Sequence, residues 1–219
     1  VIGDVDAASI IEQARKLTPA GKKPQFERCC GAPEPEKVPV RTIEKQMEIA
    51  MPAFAIGFRC PDAGRGADAM RMDLIGELAG EMLVGESSKL YQKLYDENVI
   101  DADFSVDYER MKGMALLELS GDSEDPRRIL REVLAEAARV LKTGVDRALL
   151  ARLKKSVTGR RLRELDGFEG TCYRMCAEYF DYPEIYASVT AEDVEQFIRE
   201  NVKEEQAFLS VITPKREEE

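Results

Sequence analysis

A chain without histidine has few chemistries open to it, and none of these 219 residues is His. Ser-His and Cys-His nucleophile pairs, imidazole general bases and every His-containing zinc site are excluded. Metal or redox chemistry would fall to the five cysteines, Cys29, Cys30, Cys60, Cys172 and Cys176. Cys29 and Cys30 are adjacent, and Cys172 and Cys176 stand four apart on an expected helix. The paired short spacings of a four-thiolate zinc site are therefore not met. The cysteines read as free thiols, buried or half-buried, ahead of a metal or redox role. An odd count, with no secretory signal visible at Val1, fits a reducing cytoplasm.

The other reactive groupings have plain structural readings beside the chemical ones. Ser87-Ser88-Lys89-Leu90-Tyr91 could hold a Ser/Lys nucleophile, but a helix cap followed by core anchors explains the same residues. Asp101, Asp103, Asp107 and Glu109 could hold a hard cation, and alternating exposed strand positions explain them more simply. Arg147, Arg152, Lys154, Lys155, Arg160, Arg161 and Arg163 form a basic stripe on an acidic chain. That stripe is a solvated helix face or a contact for an acidic partner. Gly64–Gly66 lacks the third glycine and downstream acid of a dinucleotide fingerprint.

Composition sets the class. Hydrophobic residues make up 44% and charged residues 34%, which suits a globular chain with a true core. At this length it can bury roughly 70% of its unfolded surface without a disulfide or metal. The net charge of -10 argues against nucleic acid and anionic membrane as partners. The apolar runs are far shorter than the ~20 residues of a membrane span. The chain opens at Val1 in mid-phrase and is read as a fragment.

The elements that would position these residues follow from periodicity. Val1–Val5 reads as the end of a strand. Asp6 caps a helix with Ile10, Ile11, Ala14 and Leu17 at helical spacing. Thr18–Pro39 holds seven Pro and Gly residues and reads as a linker. Glu44–Phe58 alternates in two phases that change at Pro52, predicting one long strand with a bulge or edge position there. A helix follows over Gly66–Leu83, and another from Ser87 or Ser88 carrying Leu90, Tyr91 and Leu94. Phe104–Tyr108 and Ala115–Leu119 alternate around Lys112-Gly113 as a hairpin. Asp125-Pro126 starts a helix that Gly144 closes, with Ile129, Leu130, Val133, Leu134, Ala137 and Leu141 inward. Helices are expected over Asp146–Leu165 and from Gly167 to a stop at Pro183. Thr190 with Asp193 marks a capping box, and Phe208–Ile212 is a last strand before the charged tail. The predicted class is α+β, a two-layer sandwich with helices on one face of a mostly antiparallel sheet.

Three blocks carry a resemblance. Val1-Ile2-Gly3-Asp4-Val5-Asp6 resembles the "V-V-G-D-hydrophobic-D" junction of pitrilysin/insulinase-type zinc metallopeptidases, a group that includes the mitochondrial processing peptidases. The run from Leu83-Val84-Gly85 through Ser87-Ser88-Lys89-Leu90-Tyr91 to Leu94 resembles that family's "L-x-G-x-x-S-S-R-L-[YF]-x-x-L" block. Val189-Thr190-Ala191-Glu192-Asp193-Val194 resembles its "[VI]-T-x-[ED]-D-[VL]" helix start.

The resemblance implies the mitochondrial-processing-peptidase-like (LuxS-type) metallohydrolase fold. In that family two homologous α+β units make each half, and two halves close around a chamber. The zinc and its H-x-x-E-H motif lie on the first half, so this chain is read as the non-catalytic second half, inactive alone and with no catalytic or metal residues. Its expected division is 1–17 as the end of a preceding homologous unit, 18–39 as linker, 40–215 as the non-catalytic domain and 216–219 as tail. The implied partners are an N-terminal catalytic half of the same chain that holds zinc, a homologous second subunit, and peptide substrate. The family's "L-R-x-x-x-G-x-x-Y" pattern places Tyr95 at its Arg and Ala102 at its Tyr. Tyr95 is thereby the one substrate-binding candidate. Leu94–Asp101 is closer to the "L-Y-x-E-G-L-I-D" of a bacterial cytoplasmic subgroup. The alternative is a non-enzymatic assembly subunit on the same fold.

Overall fold

The computed structural model describes residues 3–19, 21, 38, 40–64, 66–111, 113–164, 166–176 and 182–215. Val1, Ile2, most of the linker with Cys29 and Cys30, Lys112, the 216–219 tail and the side chain of Cys176 lie outside that description. The described part of Val1–Val5, from Gly3 on, contains a bend and no strand. The chain divides into two compact units, Val1–Ala32 with Val157–Phe180, and Pro33–Ser156 with Asp181–Glu219.

In the smaller unit, the helix Ala7–Leu17 (α1) starts where Asp6 predicts it. The Asp6 carboxylate accepts from the amides of Ala8 and Ser9 at 3.2 and 3.0 Å, satisfying donors that the first turn leaves unpaired. None of its residues is buried.

The larger unit is built on one sheet. Thr42–Met47 (β1), Ala53–Cys60 (β2), Ser105–Met111 (β3), Met114–Asp122 (β4) and Ala207–Pro214 (β5) lie in the order β1-β5-β2-β4-β3. The β1–β5 pairing is parallel and the others are antiparallel. The single strand expected over Glu44–Phe58 is in fact β1 and β2. The two pair with opposite edges of β5, so the chain must leave the sheet between them. Pro52 lies in that connection, not at a bulge. There its carbonyl accepts from the amide of Ser123 at 2.9 Å.

One face of the sheet carries the core: Phe54, Ile56 and Phe58 of β2, Ala115, Leu117 and Leu119 of β4, and Leu209 and Val211 of β5 are all buried. Each large side chain among them contributes about 1.5–3 kcal/mol by leaving water. The helix Ala67–Val84 (α2) lies on this face so closely that two positions must be glycine. A Cβ on Gly76 would stand 2.4 Å from the Tyr108 ring, and one on Gly80 2.7 Å from a Val106 methyl. Lys89–Asp96 (α3) follows.

Pro126–Thr143 (α4) opens as predicted, with Asp125 capping the Arg128 amide at 3.0 Å and Pro126 at the first helical position. Arg147–Glu164 (α5) has its residues to Ser156 in the larger unit and the rest in the smaller. Phe168–Cys176 (α6) precedes Tyr182–Ser188 (α7). Pro183 does not end a helix; it sits in the first turn of α7, where a missing N–H removes no helical bond. Ala191–Asn201 (α8) has the full capping box: Asp193 N to Thr190 Oγ1 at 3.2 Å, and Thr190 N to Asp193 Oδ2 at 2.8 Å. No helix among the described residues is long and apolar enough to cross a membrane.

Candidate functional site

The segment from Ser88 to Phe104 gathers the residues that the sequence singled out. Ser88 is buried, and its hydroxyl accepts from the amide of Tyr91 at 3.0 Å. That oxygen is a helix cap, the plain structural reading of this block. Leu90 and Leu94 anchor α3 in the core, which turns Tyr91 and Tyr95 outward by one helical turn. Their rings stack, with centroids 5.9 Å apart and planes 9° from parallel. Tyr91 also lies 5.9 Å from Phe104, which in turn lies 6.3 Å from Phe54 of β2. An aromatic ladder thus runs from the sheet to Tyr95, a residue that is 47% exposed. The Tyr91 phenol is held above its usual pKa by burial, and then by Glu86, Tyr95 and Asp101. It stays protonated and able to donate.

The end of α3 fixes the direction of Tyr95. Asn98 takes the left-handed conformation, φ 54, and is the non-glycine residue to do so among those described. The Asn98 amide donates to Tyr95 O at 2.9 Å and the Val99 amide to Leu94 O at 2.8 Å. This is a Schellman closure with Leu94 and Val99 buried together. The bacterial subgroup pattern has Gly at this place, and Asn is the residue that tolerates the same backbone next best. Ion pairs brace the outer side of α3. Lys93 holds Glu132 of α4 at 2.8 Å, and Arg128 bridges Glu132 and Glu97. The hydrogen bond from Lys93, followed by the charges of Lys93 and Arg128, overcomes partial burial and holds the Glu132 carboxyl below its usual pKa. Ala102, at the family's Tyr position, is exposed in a tight turn that Asp101 closes by accepting from the Asp103 amide at 3.0 Å.

The remaining candidates disperse. Asp107 and Glu109 stand exposed on β3. Opposite Asp107, the Glu118 carboxyl is pushed up by burial and then by Glu109 and Asp107. No group of three or more His, Cys, Asp or Glu among the described residues could hold a metal ion. Zinc does not fit the described residues. Cys60 is a free buried thiol, pushed up to about 12 by burial, and Cys172 is free and half-buried. Within the Gly64–Gly66 loop, Asp62 accepts from the amides of Gly64 and Gly113 at 2.9 and 3.1 Å, tying the loop to the hairpin. In the basic stripe, Arg147 pairs with Glu192 at 2.5 Å. Lys154 donates to Val189 O at 2.8 Å and lies 5.5 Å over the Tyr186 ring. Ser123, which no sequence pattern marks, is buried, and its hydroxyl donates to Val99 O at 2.6 Å and accepts from Asp125 N at 3.1 Å.

The site is thus an anchored aromatic helix on a sandwich with its helices packed on one face of the sheet. Residues 1–157 match the family described as the peptidase M16 inactive domain, and the chain belongs to that family. It is 26% identical over 230 residues to a Bacillus subtilis (strain 168) protein described as the uncharacterized zinc protease YmfH, covering 98% of this chain and 52% of that one. The chain therefore spans about half the length of the curated relative it matches. The crystal structure of a putative M16-like peptidase from Alicyclobacillus acidocaldarius superposes with a TM-score of 0.81 at 22% identity, over 95% of this chain and 51% of that one. The inactive peptidase domain of a putative zinc protease from Bordetella parapertussis superposes with a TM-score of 0.62 at 13% identity, over 79% of this chain and 97% of that one. The α+β sandwich and the metallopeptidase resemblance are thereby borne out.

Proposed function

We propose that this chain is the half of a zinc peptidase that closes the substrate chamber and contacts extended peptide, with zinc and its ligands on an N-terminal catalytic half. The observation that carries the reading is the Tyr91–Tyr95 stack, held outward on a capped, Schellman-closed helix. An exposed, rigid phenol can donate to a peptide carbonyl and pack its ring on a side chain at little entropic cost. With Tyr95 where the family pattern has Arg, the contact is neutral and serves binding rather than charge stabilisation. In the parent enzyme paired with its catalytic half, Tyr95→Ala should raise KM about three- to tenfold and leave kcat within twofold, as loss of uniform binding does. A fall in kcat at unchanged KM would refute this role.

The second reading is a non-enzymatic assembly subunit on the same fold. It draws on the replacement of both the Arg and the Tyr of the family pattern, by Tyr95 and Ala102. The complete parent gene separates the two: an upstream H-x-x-E-H supports the peptidase, and its loss supports the subunit.

A further inference from the structure

The charges around the aromatic pair of α3 are of one sign. Tyr91 and Tyr95, four positions apart, share one side of the helix. Lys89 and Lys93, each two positions from a ring, lie on the opposite side. Both bases are engaged there. Lys93 holds Glu132 of α4 at 2.8 Å. The Asp146 carboxyl, held below its usual pKa by the Leu149 and Ala148 amides, is lowered further by Arg152 and Lys89. No base of α3 therefore stands beside the two rings.

Carboxylates do. Glu86 is exposed and Asp101 half-buried, and after burial both charges help to hold the Tyr91 phenol above its usual pKa. Neither has an ion-pair partner among the described residues. Asp101 spends one oxygen on the Asp103 amide, at 3.0 Å, and keeps the other. The face of a phenol ring is itself negatively polarised, and Tyr95 is exposed. An exposed π-face bordered by two unpaired carboxylates complements a cation and opposes an anion. We infer, on the peptide-facing reading above, that the Tyr91–Tyr95 pair takes an arginine or lysine side chain of an extended peptide, with its charged head over the Tyr95 ring and in the field of Glu86 and Asp101. The alkyl stem of that side chain packs on the ring edge while the head keeps its contact with water.

The test titrates the 219-residue chain, carrying isotope-labelled tyrosine, with three blocked Thr/Val heptapeptides that differ only in a central Arg, citrulline or Glu. The Arg peptide should shift the Tyr95 ring signals saturably. Citrulline, which keeps the shape and loses the charge, should bind about five- to tenfold more weakly, and Glu more weakly still. Added salt should narrow the preference. Tyr95→Phe keeps the π-face and should keep the preference. Glu86→Gln with Asp101→Asn should weaken the Arg peptide about three- to fivefold and leave citrulline unchanged. Arg and citrulline peptides that bind equally while shifting Tyr95 would overturn this inference and leave the peptide-facing reading standing. No shift of Tyr95 with any of the three would overturn both. A double variant that keeps its amide spectrum and its full preference for Arg would also overturn the inference. Should that variant lose its fold, the ranking of the three peptides on the unaltered chain decides.

Discussion

α1 and α2 begin from the same kind of sequence and end in opposite conditions. Both carry apolar residues at helical spacing. α2 buries eleven of its eighteen residues against Val106, Tyr108, Leu117 and neighbouring helices, while α1 buries none and leaves Ile11 and Leu17 in solvent. Periodicity therefore decides that a helix forms, even at α2, which has no side-chain cap, and burial decides what it is worth. An eleven-residue helix that buries none of its residues is marginal in water.

Hydrogen exchange offers the widest test of that contrast. Amides of Leu74–Met82 should exchange only by global opening, and those of Ile10–Leu17 by local fraying, a difference of several orders of magnitude in rate. Equal protection of the two segments would erase the distinction. Urea unfolding sharpens it at single residues. Leu78→Ala removes a fully buried side chain and should cost about 2–5 kcal/mol. Ile11→Ala should stay within about 0.5 kcal/mol. A loss above ~2 kcal/mol at Ile11 would mean that α1 has a packing partner.

Smaller effects belong to α3, whose anchoring lies between the two. Asn98→Ala forces an ordinary residue into the left-handed region and should cost about 1 kcal/mol, while Asn98→Gly should cost nothing. Matching losses for Ala and Gly would show that the Asn98 side chain, not its backbone, matters. Last comes pH. Glu132 is held below its unfolded value by Lys93 first, so its contribution is complete above the ordinary carboxylate range and is lost as pH falls through the depressed value. Glu132→Gln should flatten the acid side of the stability curve slightly. An unchanged acid limb would show that the pair contributes nothing.

What could be read in advance tracks how local each signal is. Asp6, Ser88, Asp125 and Thr190 were legible as helix starts because a cap speaks to amides two or three residues away. The break at Pro52 was misread because the reason for it, β5 between β1 and β2, lies some 150 residues downstream. Tyr95 could be nominated from the pattern around Leu94. The ladder behind it could not, since Phe104, which packs on Tyr91, arrives from beyond a turn. Nor could the engagement of Lys93 away from the rings, since its partner Glu132 comes from α4.

The place of β5 also sets a schedule for synthesis. Its register binds β1 from Thr42↔Leu209 and β2 from Phe58↔Ala207, so two strands made early have no direct hydrogen bonds to one another. On the ribosome, the β3–β4 hairpin can form and its β4 can pair with β2, but β1 must wait unpaired until residues 207–214 have cleared the exit tunnel. Loop-closure entropy for so distant a pairing is met late, which makes docking of β5 the slow step of folding and leaves two strand edges open to misassembly until it occurs.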